Sequence, residues 1–302
     1  MKNKQAIQDM AIKDEQGFSL EVDFDVKSIP SVDPFGVGDG VWLAVSFGGG
    51  TNSTAMLCGF RDKNIRPDFI SFADTGAEMP HTYEHVAAMQ AQVKAWWGIE
   101  LLTVRKTYQG QFEGLEGQCR RHKQMPSLAY GRRSCSMKYK HEPQERALAK
   151  AMRDAGVTKV IRAIGFDANE AHRVKEQHML PRKLGKGQFW KAWYPLIEWG
   201  WRRENCVAAI KRHGLPQAGK SACYFCPAMK KREVYELRDK YPELLSRALE
   251  IEDAAQFTNT TKRGLGGQNN LWRNWLALDA AQQKLWDNIE PTHVPCGCYD
   301  GG

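Results

Sequence analysis

Two features of this 302-residue chain could do chemistry: a glycine-rich turn and a set of eight cysteines. The turn reads Ser46-Phe47-Gly48-Gly49-Gly50-Thr51-Asn52-Ser53-Thr54, between an apolar run from Val41 and residues that are apolar at helical spacing. Three successive glycines let the backbone approach a ligand without a Cβ in the way. Ser53 and Thr54 stand where a helix would begin, so free N–H groups, the helix dipole and two hydroxyls converge. Such a point suits phosphate or sulfate. The turn is neither a G-x-x-x-x-G-K-[ST] loop nor a G-x-G-x-x-G fingerprint.

The cysteines are Cys58, Cys119, Cys135, Cys206, Cys223, Cys226, Cys296 and Cys298. The start MKNKQAIQDM has no apolar signal core, and no run reaches membrane-span length. The expectation is a soluble cytoplasmic protein, where thiols serve metals or redox chemistry more than disulfides. Cys223-Tyr-Phe-Cys226 is a C-x-x-C turn, read as a metal knuckle or a redox pair. Cys58 falls on the helix after the glycines and reads as core. Arg132, Arg133, Lys138 and Arg173 supply permanent charge for an oxyanion, with Arg able to bind bidentately. Asp74, at a predicted strand end, suits ribose or Mg²⁺, or the capping of its own turn.

These residues need elements to hold them. Strands are predicted at Val41–Ser46, Asp68–Ala73, Glu100–Val104, Lys159–Ile164 and Trp193–Ile197. Helices are predicted at Ser53–Asp62, His81–Trp97 and Glu142–Ala155. Alternation of this kind implies parallel βαβ units with right-handed crossovers, and ligands then bind at the carboxyl ends of the strands. The glycine turn, Asp74-Thr75-Gly76 and Gly165-Phe166-Asp167 all fall there. Residues 107–140 break the alternation and read as a polar, basic long loop or lid over the strand ends. Beyond Trp190 the pattern turns helical, with helices at Arg203–Arg212, Glu233–Arg238, Glu243–Gln256, Trp272–Leu278 and Ala280–Ile289. The expected division is an N-terminal extension at 1–39 with one strand near Phe18–Val26, a nucleotide-binding domain at 40–200, and a small helical, cysteine-containing subdomain at 201–302. Net charge is +8 and the isoelectric point about 9.0, which suits an anionic ligand and permits nucleic acid.

Several segments together resemble the phosphoadenosine phosphosulfate (PAPS) reductases of the adenine nucleotide α-hydrolase superfamily. The glycine turn is similar to the S-G-G-x-D-S pyrophosphate loop, with Gly48 for the first Ser and Asn52 for the Asp. FADTGAEMPHTYEHV is similar to D-T-G-x-x-[FM]-P-x-T-Y-x-x-V, and RRSCSMKYKHEP to R-x-C-x-x-x-K-x-x-P. GFDANEAHR resembles G-x-R-x-x-E-S-x-x-R, with Asp167 for the first Arg and Ala171 for the Ser. WYPLIEW resembles W-x-P-L-x-x-W. The matches run in order from Val41 to Pro227.

The resemblance implies an α/β fold, a twisted parallel sheet with helices on both faces. It implies an adenine nucleotide (PAPS, adenosine phosphosulfate or ATP) held by Ser46, Gly48, Gly49, Gly50, Asn52, Ser53, Asp74, Gly165 and Arg133. Lys138 and Arg173 would neutralise its sulfate. Cys296, in a tail similar to E-C-G-[IL]-H, would attack sulfur, with a thioredoxin-like protein as reductant. Cys135, Cys223 and Cys226, with Cys206 as fourth ligand and Cys119 as its alternative, would hold a [4Fe–4S] cluster, or zinc. Asn52 lacks the charge that places Mg²⁺ on ATP, which favours a nucleotide not hydrolysed at its α-phosphate. Ser134 replaces the first cysteine of the family's adjacent pair, which favours the other reading, ATP-dependent sulfur transfer to nucleic acid. A non-catalytic nucleotide-binding accessory is the third reading.

Overall fold

The structure is a computed structural model that describes residues 40–174, 176–256, 263–268 and 270–277. The predicted N-terminal strand, the helix at 280–289 and the tail thiols Cys296 and Cys298 lie outside the described residues.

β1 (Val41–Phe47) runs into the glycines and then α1 (Thr51–Asp62). β2 (Phe69–Asp74), α2 (Pro80–Trp97) and β3 (Leu101–Arg105) follow. α3 (Gly114–His122) and a 3₁₀ turn (Ser127–Tyr130) come next. α4 (Ser134–Ser136) then passes through a π-helical turn (Met137–His141) into α5 (Glu142–Asp154). β4 (Lys159–Ala163), α6 (Glu176–Met179), β5 (Arg182–Gly185), β6 (Gln188–Trp193) and α7 (Pro195–Glu198) lead to α8 (Arg203–Arg212). α9 (Lys231–Lys240), α10 (Pro242–Gln256), the short hairpin β7–β8 (Arg263–Gly264, Gly267–Gln268) and α11 (Trp272–Leu276) complete the described chain.

The six-stranded sheet has the order β3-β2-β1-β4-β6-β5. All its pairings are parallel except β5 with β6. Alternation along β1 feeds two cores. Val45 and Phe47 pack with residues of α1, α2 and α8, while Ala44 packs with Leu148 and Met152 of α5. Helices therefore cover both faces, and the α/β class is as expected. The fifth parallel strand lies at Gln188–Trp193 rather than at Trp193–Ile197, because Pro195 starts a helical turn there. The antiparallel β5 precedes it and was not anticipated.

A third core joins α3, the cysteine turn, α9, α10 and α11. Leu115, Cys119, Met125, Ala129 and Tyr139 are buried in it, so 107–140 is a packed segment and not a lid. Its polar residues hid the apolar ones, which recur too irregularly to show a period. Among the described residues no helix is long and apolar enough to cross a membrane.

Candidate active site

The connections after β1 lead one way across the sheet, to β2, and those through β4 lead the other way. The crevice between β1 and β4 is thus the topological switch point, where ligands of such sheets bind. The glycine turn and the Gly165–Asp167 loop flank it, with Asp74-Thr75-Gly76 beside them at the end of β2.

Gly49 has φ +72°, and a Cβ there would stand 3.0 Å from Thr82 Cγ2. A Cβ on Gly165 would meet the Ser53 Cα and N at 3.2 Å, so glycine lets the β4 loop lie closely against the start of α1. The loop closes on itself: Gly48 N donates to Ser53 Oγ at 3.3 Å, and Ser53 Oγ donates to Gly50 O at 3.1 Å. Ser46, at the end of β1, accepts from Arg162 Nη2 at 3.5 Å. α1 itself carries no acidic residue in its first turn, so the negative charge near the helix's positive end comes from the β4 loop. Behind this turn, Thr54 Oγ1 lies 2.8 Å from His85 Nε2. Burial, and then His81, hold His85 below the ordinary histidine range.

Asn52 is the hub of a buried network. Its Nδ2 donates to Asp167 Oδ2 at 3.0 Å and Glu170 Oε2 at 2.8 Å, and its Oδ1 accepts from Arg203 Nη1 at 3.1 Å. Arg173 pairs with Glu170 and lies 4.2 Å above the Phe166 ring. Asp167 replaces an Arg of the family pattern just where Asn52 replaces an Asp. The two departures face each other. Sequence alone gave no signal that these positions meet.

Asp74 is engaged within its own turn. It accepts from Gly76 N, Tyr83 Oη and Arg105 Nε, each at 2.8 Å. Its neighbour Thr75 leads to the cysteines. Thr75 Oγ1 lies 3.3 Å from Cys223 Sγ and donates to Glu78 Oε1 at 3.0 Å. Glu78 and Cys223 share a β-bridge, and Ser221 Oγ donates to Gly48 O. The C-x-x-C segment is thereby laid across the same sheet edge as the glycine turn. Glu78 is 3% exposed and pairs with Lys140 at 3.0 Å, while its Oε2 has no partner among the described residues.

Lys140 and Glu78 were missed, although a signal existed. The family spacing puts Lys four after Cys and three before Pro; here Cys135 and Pro143 are one residue further apart. The π-helical turn at Met137–His141 takes up that extra residue. Lys140 keeps the spacing to Pro143, and Lys138 keeps neither spacing. Lys138 instead lines a cavity of about 530 Å³ with Arg132, Cys119 and Cys135. Arg133 is exposed at the start of α4.

The four expected metal ligands are not brought together. Cys206 is fully buried on α8 in the core with Leu57 and Phe60, whereas Cys135, Cys223 and Cys226 belong to the third core. Its thiol is pushed up to about 12 by burial and then by Asp167. Cys119, the alternative, is in the third core, and burial, then Cys135, pushes its thiol up to about 12. Among the described residues no three Cys, His, Asp or Glu side chains converge on a position that fits a metal. As placed, the described thiols do not fit a cluster or zinc, and no step below runs through either.

The family model for the phosphoadenosine phosphosulfate reductase domain matches residues 42–218. No curated protein matches the chain. Among solved structures, the U34-tRNA thiolase NcsA from Methanococcus maripaludis, determined with its [4Fe–4S] cluster, is similar at 14% identity and a TM-score of 0.39. That similarity covers 86% of this chain and 77% of the thiolase.

Proposed function

The chain belongs to the phosphoadenosine phosphosulfate reductase family, and on that premise we propose that it binds an adenine nucleotide at the strand edge and reduces its phosphosulfate group with thiols. One observation carries the reading: the C-x-x-C segment is tied to the glycine turn through Ser221–Gly48 and to the β2 turn through Thr75–Cys223. Thiols and an anion-binding loop thus share one edge.

In this reading the glycine turn and Ser53 hold the nucleotide's phosphates, and the cations of the loop network are Arg203, which donates to Asn52, and Arg173, which pairs with Glu170. The Cys296 thiolate attacks the sulfonate sulfur. The S–O bond to the nucleotide breaks, and the nucleotide leaves with the electron pair. A second thiol then attacks the cysteine sulfur of the thiosulfonate, releasing sulfite and forming a disulfide. A thioredoxin-like dithiol returns both sulfurs to thiols, so two electrons enter per sulfite formed. The test is sulfite release from phosphoadenosine phosphosulfate with excess dithiol. Undisturbed turnover by Cys296→Ser would sink the mechanism.

One observation favours the second reading, ATP-dependent sulfur transfer to nucleic acid. Asp167 and Glu170 return to the loop the negative charge that Asn52 lacks. Pyrophosphate or AMP formed from ATP and Mg²⁺ only when nucleic acid is present, with no sulfite from phosphosulfate, would establish it. A [4Fe–4S] cluster or zinc on Cys135, Cys223 and Cys226 would require those thiols to be drawn together. Iron, acid-labile sulfide and zinc measured on anaerobically purified protein decide that point.

A further inference from the structure

The cations singled out in the sequence do not all serve the strand edge. Arg132 and Lys138 line the cavity of about 530 Å³ formed by α3, the 3₁₀ turn and the π-helical turn, together with His122 and Arg263. No residue of the glycine turn, of Asp74–Gly76 or of Gly165–Glu170 lines it. The volume falls in the usual range for small-molecule sites.

Its charge is one-sided. Among the described residues no Asp or Glu lines it. The neighbouring cations are taken: Arg120 by Glu116 and Glu250, Arg121 by Glu113, and Lys140 by Glu78. Among the described residues Arg132 and Lys138 form no ion pair and no side-chain hydrogen bond. Like charges gathered without counter-charge in a concave site raise each other's energy, and a bound anion relieves that. A guanidinium fork and an ammonium together match a tetrahedral oxyanion. Two thiols stand on the wall, Cys119 buried and Cys135 half-buried.

We propose that this cavity is a second anion site, separate from the glycine turn, that takes a tetrahedral sulfur or phosphorus oxyanion against Cys135. The inference does not depend on which nucleotide reaction the strand edge performs. The oxyanion is either a free ion or the end group of a nucleotide, and the test separates the two.

Cys135 is its own reporter. The full chain is treated with limiting N-ethylmaleimide in chloride, sulfate or phosphate at matched ionic strength, and separately in chloride with ATP or adenosine phosphosulfate, and the Cys135 adduct is quantified by peptide mass spectrometry. The expected result is that millimolar oxyanion slows Cys135 modification severalfold relative to chloride. Arg132→Ala with Lys138→Ala should abolish the protection. Both side chains are exposed, so the fold should survive; Lys138→Gln alone, expected to weaken it, provides the check if the double variant does not fold. Gly165→Ala, which crowds the glycine turn, should leave protection by inorganic oxyanions intact. Protection by chloride equal to that by oxyanions would overturn the proposal, as would protection that survives loss of both cations. Protection seen only with a nucleotide, and lost in Gly165→Ala, would assign the cavity to the nucleotide site and overturn its separateness.

Discussion

Asn52→Asp restores the acidic residue of the family's loop pattern, yet the structure predicts that it damages this protein. The Asn52 amide donates to two buried carboxylates, Asp167 at 3.0 Å and Glu170 at 2.8 Å. An aspartate keeps the Arg203 contact, removes both donors and adds a third negative charge. A hydrogen bond to a charged group contributes about 1.5–3 kcal/mol, so the two together amount to about 3–6 kcal/mol before repulsion is counted. Protonating the new carboxyl would restore one donor. At pH 7 this costs about 4 kcal/mol, because an ordinary Asp pKa of about 3.9 lies roughly three units away at about 1.4 kcal/mol per unit. The ionised route thus loses about 3–6 kcal/mol plus repulsion, and the protonated route, which still lacks one donor, about 5.5–7 kcal/mol, against a typical total stability of about 5–15 kcal/mol. The assay is urea unfolding of wild type, Asn52→Asp and Asn52→Asp/Asp167→Asn. The double variant should recover most of the loss, since an amide again faces a carboxylate. The added carboxyl titrates upward in the folded state, so the deficit should shrink from pH 7 to pH 5. A single variant within about 1 kcal/mol of wild type, or a deficit that ignores pH, would refute the reasoning.

Four other outcomes follow. Gly165→Ala places a methyl 3.2 Å from backbone atoms of Ser53, which should weaken nucleotide binding more than it lowers stability, at a packing cost of about 1–3 kcal/mol; equilibrium binding and melting measure the two. His85 is held below the ordinary histidine range, so the unfolded chain binds the proton more readily. Its contribution to stability is full above pH of about 6.5 and falls as pH drops below it, and His85→Gln should flatten that slope in urea titrations. Cys58, Cys119 and Cys206, all pushed up to about 12 chiefly by burial, should resist alkylation near neutral pH in the native protein while Cys135 reacts. Glu252, fully buried, accepts the backbone N–H groups of Leu265, Trp272 and Arg273, so Glu252→Ala should cost about 3 kcal/mol or more and open the chain beyond it to limited proteolysis.

The parts legible in the sequence were those with a strict local period or a steric signature. β1, the glycines and α1 showed because an apolar run, three residues without Cβ and a helical period follow one another. Convergence of three loops on one edge followed from parallel βαβ logic, which needs no side-chain detail. The strand at Gln188–Trp193 was displaced because Trp193–Ile197 is as apolar as a strand and only Pro195 argues otherwise. The partnership of Asn52 with Asp167 was invisible because the two residues are far apart in sequence and each, taken alone, is only a departure from a pattern. Cys206 was misjudged on proximity along the chain. Its helix turns the thiol into the core beneath α1, a fact that depends on packing. Lys140 was hidden by one inserted residue, which a motif read from Cys135 forward cannot absorb but a wide helical turn can.

The cysteine segment's attachment to the sheet edge has a further consequence. Ser221 holds the carbonyl of Gly48, and Cys223 bridges to Glu78 just after the β2 turn. A ligand that resets the glycine backbone must also reset the segment carrying the thiols. Thermodynamic reciprocity then requires that oxidation or modification of Cys223 change nucleotide affinity by the same factor by which the nucleotide changes the thiol's equilibrium. If the strand edge binds nucleotide as proposed, a redox titration of the cysteine segment with and without nucleotide should display this coupling as a shift in midpoint; an unchanged midpoint would show the two are not coupled.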